Sequence, residues 1–188
     1  MAIATYLYHR KAERDRVLRS DREKAIHLIS QFTLNQNSRR SAVRKLVRNL
    51  DAKVIKEIED GNSVDIPVEF GDLVYAAIPD VIRIKQIQTT SPTIKLTARQ
   101  VFLLRWECFA YLNSVEVVCE AWRCHVVHSP TVEREMRFLL EPEMGKNILT
   151  TFGSMADKED YPAIRSFIEF MEQKRLEEAR KRHTEKPI

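Results

Sequence analysis

The stretch RRSAVRKLVRNLDAKVIKEIE, residues 39–59, decides the fold because its apolar residues recur at helical steps without a miss. Successive members of this stripe are 3, 1, 3, 4, 1 and 3 positions apart, as expected for a helix with 3.6 residues per turn. The pattern predicts one continuous amphipathic helix that buries its apolar side, with Ser38 as N-cap and Gly61 after its end. The stripe consists of Val43, Leu46, Val47, Leu50, Val54, Ile55 and Ile58.

The other side of this helix carries cations spaced one turn apart. Arg40, Arg44 and Arg48 follow one another at i, i+4 and i+8, and Arg39 and Lys45 lie beside them. A guanidinium group offers a planar fork of donors to two phosphate oxygens, so such a row suits the backbone of nucleic acid. Aromatic residues do not interleave with the row, which favours sequence-independent binding without base stacking. A solvated helix face, or a face that meets an acidic protein surface, gives the same pattern.

Residues 63–96 have a different texture from the segments on either side. Apolar, often β-branched residues alternate with polar ones, and Pro67, Pro79 and Pro92 punctuate them. Alternation with a period of two predicts short strands in a small sheet or hairpin-like insert, and a helix over 72–88 stays open as an alternative. The chain is therefore predicted to be an α+β protein, predominantly helical, with a small β segment around these residues.

Helical periodicity predicts most of the remaining chain as helices joined by short polar breaks. Thr97 and Ser114 are N-cap candidates for two consecutive helices, and Ser129 opens a third. Pro162 suits the first turn of the last helix. Besides residues 39–59, the predicted helices cover residues 5–33, 98–112, 114–127, 129–140, 143–152 and 162–182, with an acidic loop at 153–161 and a frayed tail at 183–188.

Charge is unevenly distributed along the 188 residues, whose formal net charge is +4. Residues 1–60 hold 14 Lys and Arg against 8 Asp and Glu, residues 61–160 hold 10 against 14, and residues 161–188 hold 7 against 5. The basic ends are where an anionic partner is expected. The same distribution suits an assembly protein in which the basic ends of one copy meet the acidic middle of another.

The stretch CEAWRCHVVH, residues 119–128, contains two of the three cysteines and two of the five histidines. Zinc needs about four converging ligands, and the spacing of Cys119, Cys124, His125 and His128 does not bring four together on one helix. Packed thiols are therefore the favoured interpretation, ahead of zinc binding and of a catalytic cysteine. The predicted core stripe consists of Val115, Val118, Cys119, Trp122 and Val126.

Sequence signatures of enzymes are missing from the chain. It has no Gly-rich phosphate loop, no nucleophile elbow and no H-E-x-x-H motif, so no catalytic residue, cofactor or metal is predicted. A helix-turn-helix over 97–140 is disfavoured because Glu133 and Glu135 neighbour Arg134 and Arg137, and carboxylates are repelled by phosphate.

The leading prediction is a non-catalytic protein that contacts the phosphate backbone of RNA or DNA through Arg39, Arg40, Arg44, Lys45 and Arg48. The alternative is a structural or assembly protein that docks an acidic protein surface or self-associates as a homo-oligomer.

The chain is predicted to be a single domain over residues 1–188, with a basic helical part at 1–60, a β insert at 61–96 and a second helical part at 97–182. Three clustered cysteines fit a reducing compartment, in the cytoplasm or nucleus. No window approaches eighteen apolar residues, so no membrane partner is predicted.

Overall fold

The computed structural model describes residues 2–36, 38–78, 91–140, 147–156 and 160–184. These residues are mostly helical and include one antiparallel strand pair, which confirms the predicted fold class. The elements are α1 Ala2–Asn35, α2 Ser38–Asn49, α3 Ala52–Asp60, β1 Val64–Pro67, α4 Gly71–Ala77, β2 Thr93–Leu96, α5 Ala98–Arg123, α6 Ser129–Glu135, α7 Ile148–Phe152 and α8 Pro162–Thr184. Short 3-10 turns lie at Val68–Phe70, Arg137–Leu140 and Gly153–Ala156.

The single helix predicted over 39–59 is wrong, because the chain turns at Leu50 and Asp51 and forms α2 and α3. The backbone of Asp51 is extended, with φ −77° and ψ 163°, and its carboxylate accepts the amide N–H of Val54 at 2.8 Å. An Asp in this conformation satisfies the open N–H groups at the start of a helix. The apolar stripe continues across the break, and all of its members except Val54 are buried. Gly61, with φ 75°, follows α3 as predicted.

The segment predicted as a β insert contains a helix as well as two strands. Val64 of β1 lies opposite Leu96 of β2, and Ile66 lies opposite Ile94. These four side chains are buried, because alternate residues of a strand face the same side. Between the strands, α4 occupies part of the stretch for which a helix was the open alternative, and residues 79–90 lie outside the described residues.

The central helix, α5, is continuous over 26 residues, where two helices joined at Ser114 were predicted. Thr97 is its N-cap, as predicted, and exchanges hydrogen bonds with Gln100 in a capping box. The hydroxyl of Ser114 donates to the carbonyl oxygen of Tyr111 at 2.6 Å, one turn back, so it does not cap a new helix.

α5 also ends earlier than the second predicted helix, at Arg123. His125 follows with φ 54°, in the left-handed region that commonly ends helices. The core stripe predicted here is therefore correct through Trp122 but wrong for Val126, which is exposed.

The two terminal helices lie close to the predicted ranges. α1 extends a few residues beyond the predicted 5–33 at both ends, and α8 begins at Pro162 as predicted. α2 begins at Ser38, which is therefore a helical residue rather than the N-cap. Residues 185–188, in the predicted tail, lie outside the described residues.

The segment between α5 and α8 is less regularly helical than predicted. α6 begins at Ser129 as predicted, but the helical run then passes into a 3-10 turn. The helix predicted over 143–152 is present as α7, and the predicted acidic loop begins with the turn Gly153–Ala156. Residues 141–146 and 157–159 lie outside the described residues.

The buried apolar side chains form one continuous cluster, with α5 at its centre and α1, α2, α3 and α8 against it. Tyr111 stacks on Phe152 with ring centroids 5.5 Å apart, and Trp122 meets Phe167 edge-on at 5.0 Å. Such aromatic pairs stabilise a core beyond the area that they bury. In α1, by contrast, residues 9–19 are exposed and lie outside this core.

Candidate nucleic-acid interface

The structure places the five predicted phosphate-binding residues together on α2, next to the buried stripe of that helix. Lys45 is exposed, whereas Arg39, Arg40, Arg44 and Arg48 are half-buried. Residues four apart lie above one another on a helix, which aligns the last three arginines along one edge. This edge meets other parts of the chain and is not a fully open row.

Contacts with other elements hold two of the arginines. Nη1 of Arg40 donates to the carbonyl oxygen of Asn35, at the end of α1, at 2.9 Å. The guanidinium carbon of Arg44 lies 4.6 Å from the ring centre of Phe138, within cation–π distance. Phe32 of α1 stacks on the same ring, with centroids 6.3 Å apart. The row is therefore fixed between α1 and the 3-10 turn that follows α6.

A cavity of about 320 Å³ adjoins the far end of the row. Its lining includes Arg48 of α2, Lys56 of α3 and Thr150 of α7. The ammonium group of Lys56 lies 3.0 Å from a carboxylate oxygen of Glu59 and 3.2 Å from one of Asp60. The hydrogen bonds to these two carboxylates, first of all that to Glu59, raise the pKa of Lys56. Because carboxylates already pair with Lys56, its charge is less available to an anion than that of Lys45.

A second group of cations, which was not selected from the sequence, surrounds a cavity of about 340 Å³ between α6, the turn Arg137–Leu140 and α8. Arg134 and Arg137 line one side, Lys174 and Arg175 line the other, and Glu133 and Glu178 are also in the lining. Within the described residues, Arg137 and Arg175 form no ion pair. Two guanidinium groups from separate elements thus line one space of a size that admits a small anion.

Carboxylates pair with two of the four cations around this cavity, and Glu133 makes one of these pairs. Its side chain is buried, where it accepts the indole N–H of Trp122 at 3.2 Å and the ammonium group of Lys174 at 2.6 Å. Arg134 pairs with its neighbour Glu135 at 2.8 Å. In the sequence, Glu133 counts as a residue that repels phosphate. Its inward position depends on α8, about forty residues further on, so local periodicity carries no signal for it.

The 3-10 turn brings the two groups of cations next to each other. Phe138 contacts the guanidinium group of Arg44, and the preceding residue, Arg137, lines the second cavity. Neighbouring Cα atoms are ~3.8 Å apart, so the two groups lie near each other at the turn, although consecutive side chains of a 3-10 turn point ~120° apart. Together they form what we call the basic surface, which consists of Arg39, Arg40, Arg44, Lys45, Arg48, Arg134, Arg137, Lys174 and Arg175.

The cysteines and histidines of the CEAWRCHVVH stretch lie in different surroundings. Cys119 is buried, as predicted, and Cys124 is exposed beyond the end of α5. The Cys124 thiol donates to Glu120 at 3.2 Å, and Nδ1 of His128 lies 2.8 Å from Oγ1 of Thr131. Over the part of the chain that the structure describes, no three His, Cys, Asp or Glu side chains are grouped as metal ligands.

The surroundings of the thiols disfavour nucleophilic chemistry. Burial raises the pKa of Cys108 to about 12 and also raises that of Cys119. A hydrogen bond to the Glu120 carboxylate raises the pKa of Cys124. Catalytic cysteines need a lowered pKa so that the thiolate forms near neutral pH, and these three shifts all have the opposite sign.

Comparison of the chain with models of protein families, with curated proteins and with solved structures gave no match. Among the helices of the described residues, none combines the length and the apolarity needed to span a membrane. The geometry and charge of the basic surface are therefore the observations that bear on function.

Proposed function

We propose that the protein is non-catalytic and binds the phosphate backbone of nucleic acid across the basic surface. The contact between Arg44 and Phe138 supports this most directly, because it packs the predicted row on α2 against the turn that also contains Arg137. When several elements of one core hold cations in place, these cations can bind successive phosphates without contacting the bases. The proposed binding residues are Arg39, Arg40, Arg44, Lys45, Arg48, Arg137 and Arg175.

Within this surface, Arg137 and Arg175 make the principal contacts. A guanidinium group donates two parallel hydrogen bonds to phosphate oxygens, and two such groups on opposite sides of a cavity suit one backbone phosphate. Lys174 keeps its ammonium group on Glu133, which also lines the cavity, and so neutralises that carboxylate. Lys45 supplies an exposed charge at the α2 end of the surface.

The aromatic residues near the surface favour binding that is independent of base sequence. Phe138 lies under the Arg44 guanidinium group, and the Lys174 ammonium group lies 6.0 Å from the ring centre of Phe170. Each of these rings thus already has a cation over its face, where a base would otherwise stack. We expect similar affinities for RNA and DNA of the same length.

The state of the cysteines suggests where this binding takes place. Cys108, Cys119 and Cys124 all carry free thiols. Free thiols, one of them exposed, suit a reducing compartment, so we place the protein in the cytoplasm or nucleus.

The experiment is a fluorescence anisotropy titration of short labelled RNA and DNA at several salt concentrations. Each phosphate contact contributes about −0.9 to the slope of log K against log salt for duplex DNA. The double variant Arg137→Gln/Arg175→Gln is expected to reduce the magnitude of that slope by about one, because the two guanidinium groups share one phosphate. The matched control is Lys53→Gln/Lys95→Gln, which removes the same charge from exposed positions on α3 and β2.

Two outcomes overturn the proposal. One is that the wild-type protein binds neither RNA nor DNA at low salt. The other is that both double variants lose the same affinity, which shows that net charge alone is responsible. Lys45→Gln then tests the α2 end separately, and we expect it to reduce the magnitude of the slope by about one.

A further inference from the structure

The central helix, α5, carries a second apolar stripe on the side opposite the core. At 100° per residue, the side chains of this stripe lie within one narrow sector, roughly opposite the buried stripe of the same helix. Phe102, Trp106 and Val117 in it are 60%, 65% and 60% exposed. The outer stripe, as we call it, consists of Arg99, Phe102, Trp106, Phe109, Ala110, Asn113, Val117 and Glu120.

Neighbouring elements lie on both flanks of the outer stripe and leave Phe102, Trp106 and Val117 exposed, whereas Phe109 and Ala110 are half-buried. On one flank, Ser114 meets Gln36 after α1, with Oγ and Nε2 3.4 Å apart. On the other flank, the Glu116 carboxylate accepts the amide N–H groups of Ala163 and Ile164 at the start of α8, each at 2.9 Å. Single exposed apolar residues are common, but a row of them between two supported flanks is typical of an interaction surface.

The spacing of the stripe favours another helix as its partner. Arg99, Phe102, Trp106, Phe109 and Asn113 are 3, 4, 3 and 4 positions apart, the spacing of a helix–helix seam. From Arg99 to Glu120 the stripe covers 21 steps, a length of ~32 Å.

The sequence of the stripe is complementary to itself when it is reversed. Arg99 lies near its beginning and Glu120 near its end, so antiparallel pairing puts opposite charges together, whereas parallel pairing puts like charges together. Reversal about the midpoint between Phe109 and Ala110 also sets Phe102 against Val117. Each Phe102 ring therefore meets the smaller side chain of Val117 and not a second large ring.

We propose that two copies of this chain associate through antiparallel α5 helices, about a two-fold axis near Phe109 and Ala110. Phe102 of one copy packs on Val117 of the second copy, and Trp106 packs beside Asn113 of the second copy. Arg99 of each copy pairs with Glu120 of the other. Glu120 already binds Arg123 at 2.7 Å on the surface, and its carboxylate has further lone pairs to accept a second guanidinium group.

The area available is enough for a weak, reversible dimer. Phe102 and Trp106 from both copies bury on the order of 500 Å² at their present exposure. With the rest of a ~32 Å seam, the interface approaches the ~1,000 Å² at the lower limit of specific interfaces. We expect a dissociation constant in the micromolar range.

The first test is the solution mass, measured by sedimentation equilibrium or light scattering over a range of concentrations. The wild-type mass is expected to rise from 22.0 kDa towards twice that value. Two variants, Trp106→Arg and Phe102→Arg, are tested separately. Each is expected to stay monomeric, with the mass of one chain at all concentrations. Leu176→Arg is the matched control, because Leu176 is 61% exposed on α8, and this variant is expected to dimerise. Circular dichroism verifies that each variant is folded.

The second test uses disulfide cross-linking to separate antiparallel from parallel pairing. In a Cys124→Ser background, Ala110→Cys lies beside the axis and is expected to form an intermolecular disulfide on mild oxidation. Phe102→Cys is expected to form none, because antiparallel pairing separates the two copies of this position by ~22 Å along the seam. Cross-linking at both positions overturns the antiparallel arrangement.

The third test distinguishes a second copy from any other partner. Arg99→Glu brings like charges together with Glu120 of the second copy and is expected to weaken the dimer about tenfold. Arg99→Glu/Glu120→Arg is expected to restore it. A wild-type mass that stays at one chain throughout the concentration range overturns the proposal, whatever the outcome of nucleic-acid binding, on which it does not depend.

Discussion

α2 and α5 each bury one apolar stripe, and they differ in what the opposite side carries. Beside its buried stripe, α2 carries cations, and its arginines contact Asn35 and Phe138 of the same chain. Opposite its buried stripe, α5 carries aromatic residues, and Phe102 and Trp106 remain exposed. The polar side of one helix is thus partly covered, whereas an apolar side of the other is open to water.

This difference shows that the two sides of a helix are determined by different kinds of information. The buried side follows from the spacing of apolar residues along the helix itself. The fate of the other side depends on which distant element packs there, such as Phe138 against Arg44, 94 positions away in the chain. A cation on a helix is therefore not necessarily exposed, and an aromatic residue is not necessarily buried.

The largest expected effect on stability comes from comparing substitutions on the two sides of α5. Leu104 is fully buried, so Leu104→Ala is expected to lower the free energy of unfolding by about 2–5 kcal/mol through lost burial and a residual cavity. Phe102→Ala removes a larger side chain from the exposed side and is expected to change it by less than about 0.5 kcal/mol. Urea denaturation at a dilution where the protein is monomeric measures both. Equal losses would contradict the assignment of the two sides.

The next largest effect is a dependence of stability on pH, which arises from the thiols of the buried stripe. Burial raises the pKa of Cys108 to about 12 from an ordinary value of 9.0, and it also raises that of Cys119. Above about pH 9 the unfolded chain therefore releases protons that the native state retains, so stability falls as pH rises. The fall is about 1.4 kcal/mol per pH unit for each buried thiol.

Urea midpoints between pH 7.5 and 10 check this dependence. Cys108→Ala is expected to make the decline shallower, because one buried thiol no longer contributes. Cys124→Ala, at the exposed end of the same segment, serves as the comparison and is expected to change the slope less, because its pKa is raised chiefly by a hydrogen bond to Glu120 and not by burial. Identical slopes in all three proteins would show that the buried thiols are not responsible.

Several boundaries of the fold could be predicted from the sequence because local chemistry determines them. Thr97 with Gln100 forms a capping box, and Pro162 starts α8, both of which depend on residues within one turn. The break at Asp51 was missed because the apolar stripe stays in phase on both sides of it. Ser114 was misassigned as a cap because a serine hydroxyl can also bond back within a continuous helix.

The candidate site could be predicted only in part. Arg40, Arg44 and Arg48 are visible in the sequence as a row one turn apart, but the contact of Arg44 with Phe138 is long-range. The cations around Arg137 and Arg175 were missed because Glu133 appeared to oppose them, and only the packing of α8 shows that this carboxylate is turned inward. Long-range pairing of charges leaves no local periodicity from which it could be inferred.

The third prediction concerns a flank of the outer stripe. The Glu116 carboxylate accepts two N–H groups at the start of α8 and so acts as an N-cap supplied by another helix. Glu116→Ala is expected to cost about 1–2 kcal/mol, as the loss of a capping side chain usually does. Glu107→Ala, at a half-buried position of the same helix, controls for the change in helix propensity. If both variants lose the same stability, the cap does not anchor α8.

The smallest expected effect returns to α2 and separates structure from binding. Arg44→Lys keeps the positive charge but loses the planar guanidinium group over Phe138, which is expected to cost about 0.5–1 kcal/mol of unfolding free energy. Lys45→Arg at the neighbouring exposed position is expected to change stability by less than about 0.5 kcal/mol. Both are measured by urea denaturation. A cost at position 44 but not at 45 would mean that Arg44 orders the 3-10 turn next to the proposed phosphate-binding residues, because the charge of the helix is unchanged in both variants. No cost at either position would mean that the α2 row and Arg137 are neighbours without being coupled.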